Sequence, residues 1–302
     1  MISLVLIVFC TVFFPGIIVR TKSIASGRKG PGLWQPMKDI RRLFKKGAVY
    51  SNTSSVIFRV APVVYFASLL MAMLMLPFGK HPGILSFEGD FIFFAYVMAA
   101  GKFLMIIGAL DTGSSFEGMG ASREALYSML IEPAFFVLMA AFAMFTGHTA
   151  FYDIFQALYL DSYLAIFAVL LAVYILFQIA MIENSRMPYD DPKTHLELTM
   201  VHEVMVLDNS GFDLGLIQLA SALKFALFGS LMANLFIMPW MPWYLSVLIF
   251  LAVQFSFAVS VGIQESFRAR HRLRINNQAI LTITPVAILV FFSILLIITK
   301  QF

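Results

Sequence analysis

YLAIFAVLLAVYILFQIAMIENSRMPYDDPKTHLELTMVHEVMVLDNSGFD, residues 163–213, sets an apolar run directly against an acidic loop. About 20 apolar residues at 1.5 Å each cross the roughly 30 Å hydrocarbon core of a bilayer, so the first half of the stretch reads as a membrane-spanning helix. The second half holds Glu183, Asp190, Asp191, Glu197, Glu203, Asp208 and Asp213 against Arg186 and Lys193. A mere connector between spans needs no such density of acids. Pro188 and Pro192 stop the helix, because proline lacks a backbone donor and pushes the residue before it out of helical space. Residues 194–207 then read as a new helix, with Thr194 as its cap and Glu197 at capping-box spacing.

The same kind of apolar run recurs outward along the chain, at about residues 2–19, 60–78, 91–110, 128–146, 163–182, 214–238, 243–264 and 279–299. The chain has 302 residues, 60% hydrophobic and 13% charged, with mean hydropathy +0.87. Soluble domains hold about 45–50% apolar and 25% charged residues, so a water-soluble fold is excluded. The expected fold is an all-α integral membrane protein of about eight transmembrane helices. A cytoplasmic interfacial amphipathic helix and an acidic loop helix are added to these, in a single polytopic domain over 1–302. The first run has no basic segment before it and no small-residue cleavage site, and reads as a retained span.

Seventeen of the 21 Lys and Arg fall in residues 20–59, 111–127, 183–213 and 265–278. By the positive-inside rule these loops face the cytoplasm and both termini lie outside. That distribution accounts for the net charge of +4 without nucleic acid as a partner. Cys10 is the only cysteine, so neither a disulfide nor a cysteine-ligated cluster can be built from this chain, and any redox metal belongs to a partner.

Ionisable residues near or inside the runs carry the functional reading. Glu132 lies within the fourth run, where a charge costs about 2.5–3.5 kcal/mol by insertion scales, so it is expected to be buried in protein. Lys102 and Lys224 lie inside the third and sixth runs. They either snorkel to the interface or pair with carboxylates such as Glu183 in a chain able to move protons. Glu132, Glu183, Glu197, Glu203, Lys102, Lys224 and Asp111 form the expected proton-coupling set. Arg186, Asp190, Asp191, His195, His202, Arg123 and Glu124 are assigned to loop structure and contact with a soluble arm. His195 and His202 share a helical face, but without a third ligand or an HExxH pattern they suit proton carriage or capping and partner contacts better than zinc. No catalytic residue and no metal ligand is assigned.

Residues 27–50 place Trp34, Met37, Ile40, Leu43 and Phe44 at helical spacing among basic residues, an amphipathic pattern for the membrane surface. Arg28, Lys38, Arg41 and Arg42 there, with Arg268, Arg270, Arg272 and Arg274 after the seventh run, either bind lipid headgroups or dock a soluble partner.

RKGPGLWQPMKDIRRLFKK (28–46), LDTGSSFEGMGASREALYSMLIEP (110–133) and ENSRMPYD (183–190) together resemble subunit 1 of respiratory complex I and its relatives in membrane-bound nickel–iron hydrogenases. The wording of 110–133 is similar to the formate hydrogenlyase and hydrogenase-4 branch. The resemblance implies an eight-helix subunit joining a cytoplasmic redox arm to antiporter-like membrane subunits. It also implies that Glu183, Arg186, Asp190 and Glu197 match the fifth-loop motif, and that Glu132 matches the acid of the fourth helix. The expected function is membrane anchoring and proton coupling in an energy-converting hydrogenase-like complex of a prokaryotic inner membrane. Its partners are then hydrogenase-like large and small subunits, an iron–sulfur subunit and antiporter-like subunits. Iron–sulfur clusters and a nickel–iron centre lie in those partners, and this chain binds no cofactor. The rival readings are the quinone-site subunit of a quinone oxidoreductase and a passive scaffold.

Overall fold

The structure is a computed structural model, and it describes residues 2–51, 54–158, 163–191 and 200–301, with the side chains of Leu273, Lys300 and Gln301 left aside. Among these residues eight helices are long and apolar enough to cross a membrane, as the apolar runs predict. They are α1 (Ile2–Ala25), α3 (Val56–Met75), α4 (Asp90–Asp111), α5 (Ser115–Thr146), α7 (Tyr163–Glu183), α9 (Gly211–Asn234), α10 (Trp243–Phe267) and a last span made of α11 (Leu273–Leu281) and α12 (Ile283–Gln301). Shorter helices are α2 (Gln35–Phe44), α6 (Phe151–Ala157) and α8 (His202–Met205).

The sixth span, α9, is the axis of the bundle. It buries 83% of an apolar 18-residue stretch, against 33–61% for the like stretches of the other spans, and packs on α1, α2, α3, α7 and α10. A helix apolar on every face is stable in this position because neighbours cover it all round. The other spans keep a lipid-sized apolar face outward, as with Phe103, Leu170 and Leu289. The amphipathic segment forms α2 as expected. Ile40 is buried, Leu43 and Phe44 pack against Gly215 at the start of α9, and Lys38, Arg41 and Arg42 stay exposed.

Two boundaries differ from the sequence reading. The fourth helix begins at Ser115, well before the apolar run at 128, and is 32 residues long, or about 48 Å at 1.5 Å per residue. Its first turns therefore extend beyond a 30 Å hydrocarbon layer. Composition suggests a loop there, because glycine disfavours helix, but contact with the 201–205 turn compensates. A Cβ on Gly120 would lie 2.4 Å from Val204 Cγ1 and 2.8 Å from the Val201 carbonyl oxygen. The expected acidic-loop helix over 194–207 appears in the described residues only as the turn α8. Met200 and Val201 are outside any helix, so the helix does not run through to 207 as read. Thr194, His195 and Glu197 lie outside the described residues.

Candidate functional site

Four charges from four helices meet in the interior. Lys102 of α4 lies 2.9 Å from a carboxylate oxygen of Glu124 on α5 and 3.1 Å from one of Glu183 at the end of α7. Lys224 of α9 approaches the other Glu183 oxygen at 3.3 Å and donates to the Glu183 backbone carbonyl at 2.8 Å. Its ammonium also sits 5.2 Å from the centre of the Tyr65 ring. The side chains of Lys102, Glu124 and Lys224 are 8%, 2% and 3% exposed, so the snorkelling alternative is rejected. Two acids and two lysines cancel in net charge. Taking them out of water is tolerable only because each keeps close partners.

The loop after α7 is built around this quartet. Ser185 takes the left-handed conformation at φ +48°, which ordinary residues rarely adopt, and its hydroxyl donates to Glu124 at 3.1 Å. Arg186 pairs at 3.2 Å with Glu265 of α10, which also takes Lys22 of α1 at 2.7 Å; the Arg186 guanidinium lies 5.2 Å from the Phe225 ring centre. Asp190 is the knot of the loop. One oxygen takes Arg270 at 2.6 Å, and the other accepts the backbone N–H groups of Val201 and His202 at 3.2 and 3.1 Å. Burial pushes the Asp190 carboxyl above the usual range, opposed by the His202 amide and Arg270. Asn276 donates to the Tyr189 carbonyl at 2.7 Å and to the Tyr127 hydroxyl at 2.8 Å, and the His271 amide donates to the Pro188 carbonyl at 2.9 Å. The loop after the seventh span and the start of the eighth thus clamp the loop between the fifth and sixth.

Two spaces flank the quartet. A cavity of about 390 Å³ opens between α1, α2, α9 and the acidic loop, lined among others by Asp39, Asn184, Arg186, His202, Glu203 and Ser221. On the other side a cleft of about 50 Å³ has both Glu183 and Glu132 in its wall, with Phe94, Phe135, Phe136 and Phe228.

Several expected site residues take different places. Glu132, expected to be enclosed, is exposed on the outer surface of the chain, because the cleft it lines opens outward between α4 and α5 instead of closing over it. Asp111, expected in the proton-coupling set, takes the backbone N–H of Ser55 at 2.6 Å and so ties the end of α4 to the start of α3. Glu124, assigned to loop structure, belongs to the quartet, and Arg270, assigned to docking, is turned inward onto Asp190. Arg123 holds the loop by donating to the Met200 carbonyl at 3.0 Å. Asp191 and Glu203 are half-buried; Arg28, Arg268, Arg272 and Arg274 are exposed. The sequence reading missed Glu265, Glu117 and Asp90, all buried. Glu117 and Glu124, seven apart, share a face of α5, a spacing that was available as a signal. Among the described residues no group of three or more His, Cys, Asp or Glu is placed to hold a metal ion.

These features define a polytopic membrane protein whose interior carries paired charges beside a loop-walled cavity. The chain belongs to the NADH dehydrogenase family, whose family model matches residues 1–298. It is 31% identical over 233 residues to hydrogenase-4 component C of Escherichia coli (strain K12), covering 77% of this chain and 73% of that one. To formate hydrogenlyase subunit 4 of the same organism it is 29% identical over 225 residues, covering 74% and 72%. A match to a subunit of the NADH-quinone oxidoreductase of Rubrobacter xylanophilus is 25% identical over 218 residues, covering 71% and 65%. The fold is also that of a chain in the membrane-bound sulfane sulfur reductase, an archaeal respiratory membrane complex, with TM-score 0.80, 18% identity and 97% and 98% coverage.

Proposed function

We propose that this chain is the membrane-anchoring and proton-coupling subunit of an energy-converting, hydrogenase-like oxidoreductase complex, acting as one domain. The observation that carries the reading is the Glu124–Lys102–Glu183–Lys224 quartet. Lys102 is shared between two carboxylates and Glu183 between two lysines, so an electrostatic change at the surrounding loop shifts the balance of charge and protons among them. The kinship to hydrogenase-4 and formate hydrogenlyase subunits favours a redox arm as the source of that change. The exposed cations Lys38, Arg41, Arg42, Arg268, Arg272 and Arg274 suit an acidic arm docked on the face assigned to the cytoplasm. The cofactors of the reaction, iron–sulfur clusters and a nickel–iron centre, are assigned to that arm. The cleft from Glu183 to Glu132 has room for water and leads to the outer wall, where antiporter-like membrane subunits are the fitting neighbours.

The test uses the intact complex in inverted vesicles, with viologen-dye turnover reporting the arm and a pH-sensitive dye reporting proton movement. Glu183→Gln is expected to leave dye turnover intact and to reduce protons moved per electron by at least about tenfold. Full proton movement in that variant would remove the quartet from the mechanism. A second reading, a quinone site, draws on the cavity of about 390 Å³ between the first and fifth loops. Turnover that requires added quinone would select it.

A further inference from the structure

The cavity beside α2 and the buried quartet share a boundary, and the side chain at that boundary is His202. The residue lines the cavity together with Arg186 and Glu203, and its ring lies within the electrostatic reach of the Glu124 carboxylate. The approach is set by α5: Gly120 lies one turn before Glu124, and its missing side chain lets the 201–205 turn rest directly on the helix. What fastens the turn is the His202 backbone amide on Asp190, at 3.1 Å, and not the imidazole. That backbone contact does not depend on the imidazole, so the ring can be changed without removing it.

We infer that His202 is a proton relay, passing protons between the cavity under α2 and the Glu124 carboxylate of the quartet. This rests on the proton-coupling reading above and names the entry point that reading lacks. In one passage a proton from cavity water forms an N–H bond on one ring nitrogen, the N–H bond on the other nitrogen breaks, and its proton passes through a bridging water, whose own O–H breaks in turn, to form an O–H bond on Glu124. One proton moves, no electrons are transferred, and rotation of the ring restores the starting tautomer. Neutralised Glu124 then loosens its hold on Lys102, whose ammonium shifts its weight to Glu183.

The surroundings suit such a ring. Burial holds the imidazole down to about 4, helped by Lys224 of α9, Lys102 of α4 and Arg186 of the loop, and opposed by Glu124 of α5. Asp39 of α2 and Glu203 stand along the same cavity wall. A neutral imidazole offers one acceptor and one donor at once, which a relay requires. The sign also fixes the acid limit. Because its pKa is depressed from 6.5, the folded form resists the proton that the unfolded chain accepts, so stability from this residue is present above about 6.5 and lost as pH falls toward 4.

The experiment compares His202→Ala and the better-filling His202→Gln in the intact complex, with the same paired dyes. Both variants are expected to keep arm turnover and to lose at least about tenfold in protons moved per electron. Added imidazole restores proton movement in the Ala variant, which has space for it, and fails to do so in the Gln variant. Full proton movement in either variant overturns the relay, as does loss of arm turnover in both, which would make His202 structural. A wild-type complex that moves no protons at all would instead defeat the proton-coupling reading, and the relay with it.

Discussion

At the scale of single residues the interior is governed by pairing. Lys102 sits between two carboxylates at 2.9 and 3.1 Å, so removing it leaves Glu124 without its ammonium and Glu183 with only Lys224. Breaking a buried ion pair from one side costs about 3–5 kcal/mol, whereas replacing both partners by apolar groups is often neutral. Lys102→Met is accordingly expected to lower the unfolding temperature in detergent sharply, and Lys102→Met combined with Glu124→Leu to recover most of the loss. Equal melting of the two variants would show that the pair is not the source of the cost. The lysines were visible in the sequence because a charge within an apolar run stands out. Their partners were not all visible. Glu124 belongs with Lys102 only because α4 and α5 cross at that height, and no spacing along one helix records such a crossing.

At the scale of elements, α5 joins the quartet to the loop above it. Gly120 leaves no room for a Cβ against Val204, whereas a Cβ on Gly118 would meet only Leu110 Cδ2 at 3.8 Å. Gly120→Ala therefore displaces the 201–205 turn, at about 1–3 kcal/mol for an overpacked contact, while Gly118→Ala gains helix propensity and is tolerated. Hydrogen exchange at residues 201–206 is expected to accelerate in the first variant and not in the second; identical exchange would rule out the contact as the loop's support. Hydropathy located all eight spans because each needs a long apolar run whatever it packs against. It could not find the early start of α5, whose glycines look like a loop until the facing turn is in place. Nor could it foresee that Arg270, one of four similar arginines, turns inward onto Asp190 while Arg268, Arg272 and Arg274 do not.

At the scale of the whole molecule, most of the basic residues gather at one end of the bundle. Trp240, Trp243 and Tyr244 are exposed around the turn before α10, as expected for an interfacial belt, and Arg42 and Arg272 occupy the other end. The single native cysteine is buried, so an introduced thiol is read against a silent background. Arg42→Cys and Arg272→Cys are expected to react with a membrane-impermeant maleimide from the cytoplasmic side and Trp240→Cys from the opposite side; the reverse pattern would invert the orientation read from the Lys and Arg count.

Glu132 adds a consequence for biogenesis. In a solitary copy its carboxyl group faces outward from α5, a setting in which lipid would meet a polar group and the bilayer would deform to wet it. A neighbouring polypeptide that offers a donor at that height relieves both. The newly inserted chain is thus less comfortable alone than in company, and that discomfort biases the membrane against accumulating unpartnered copies.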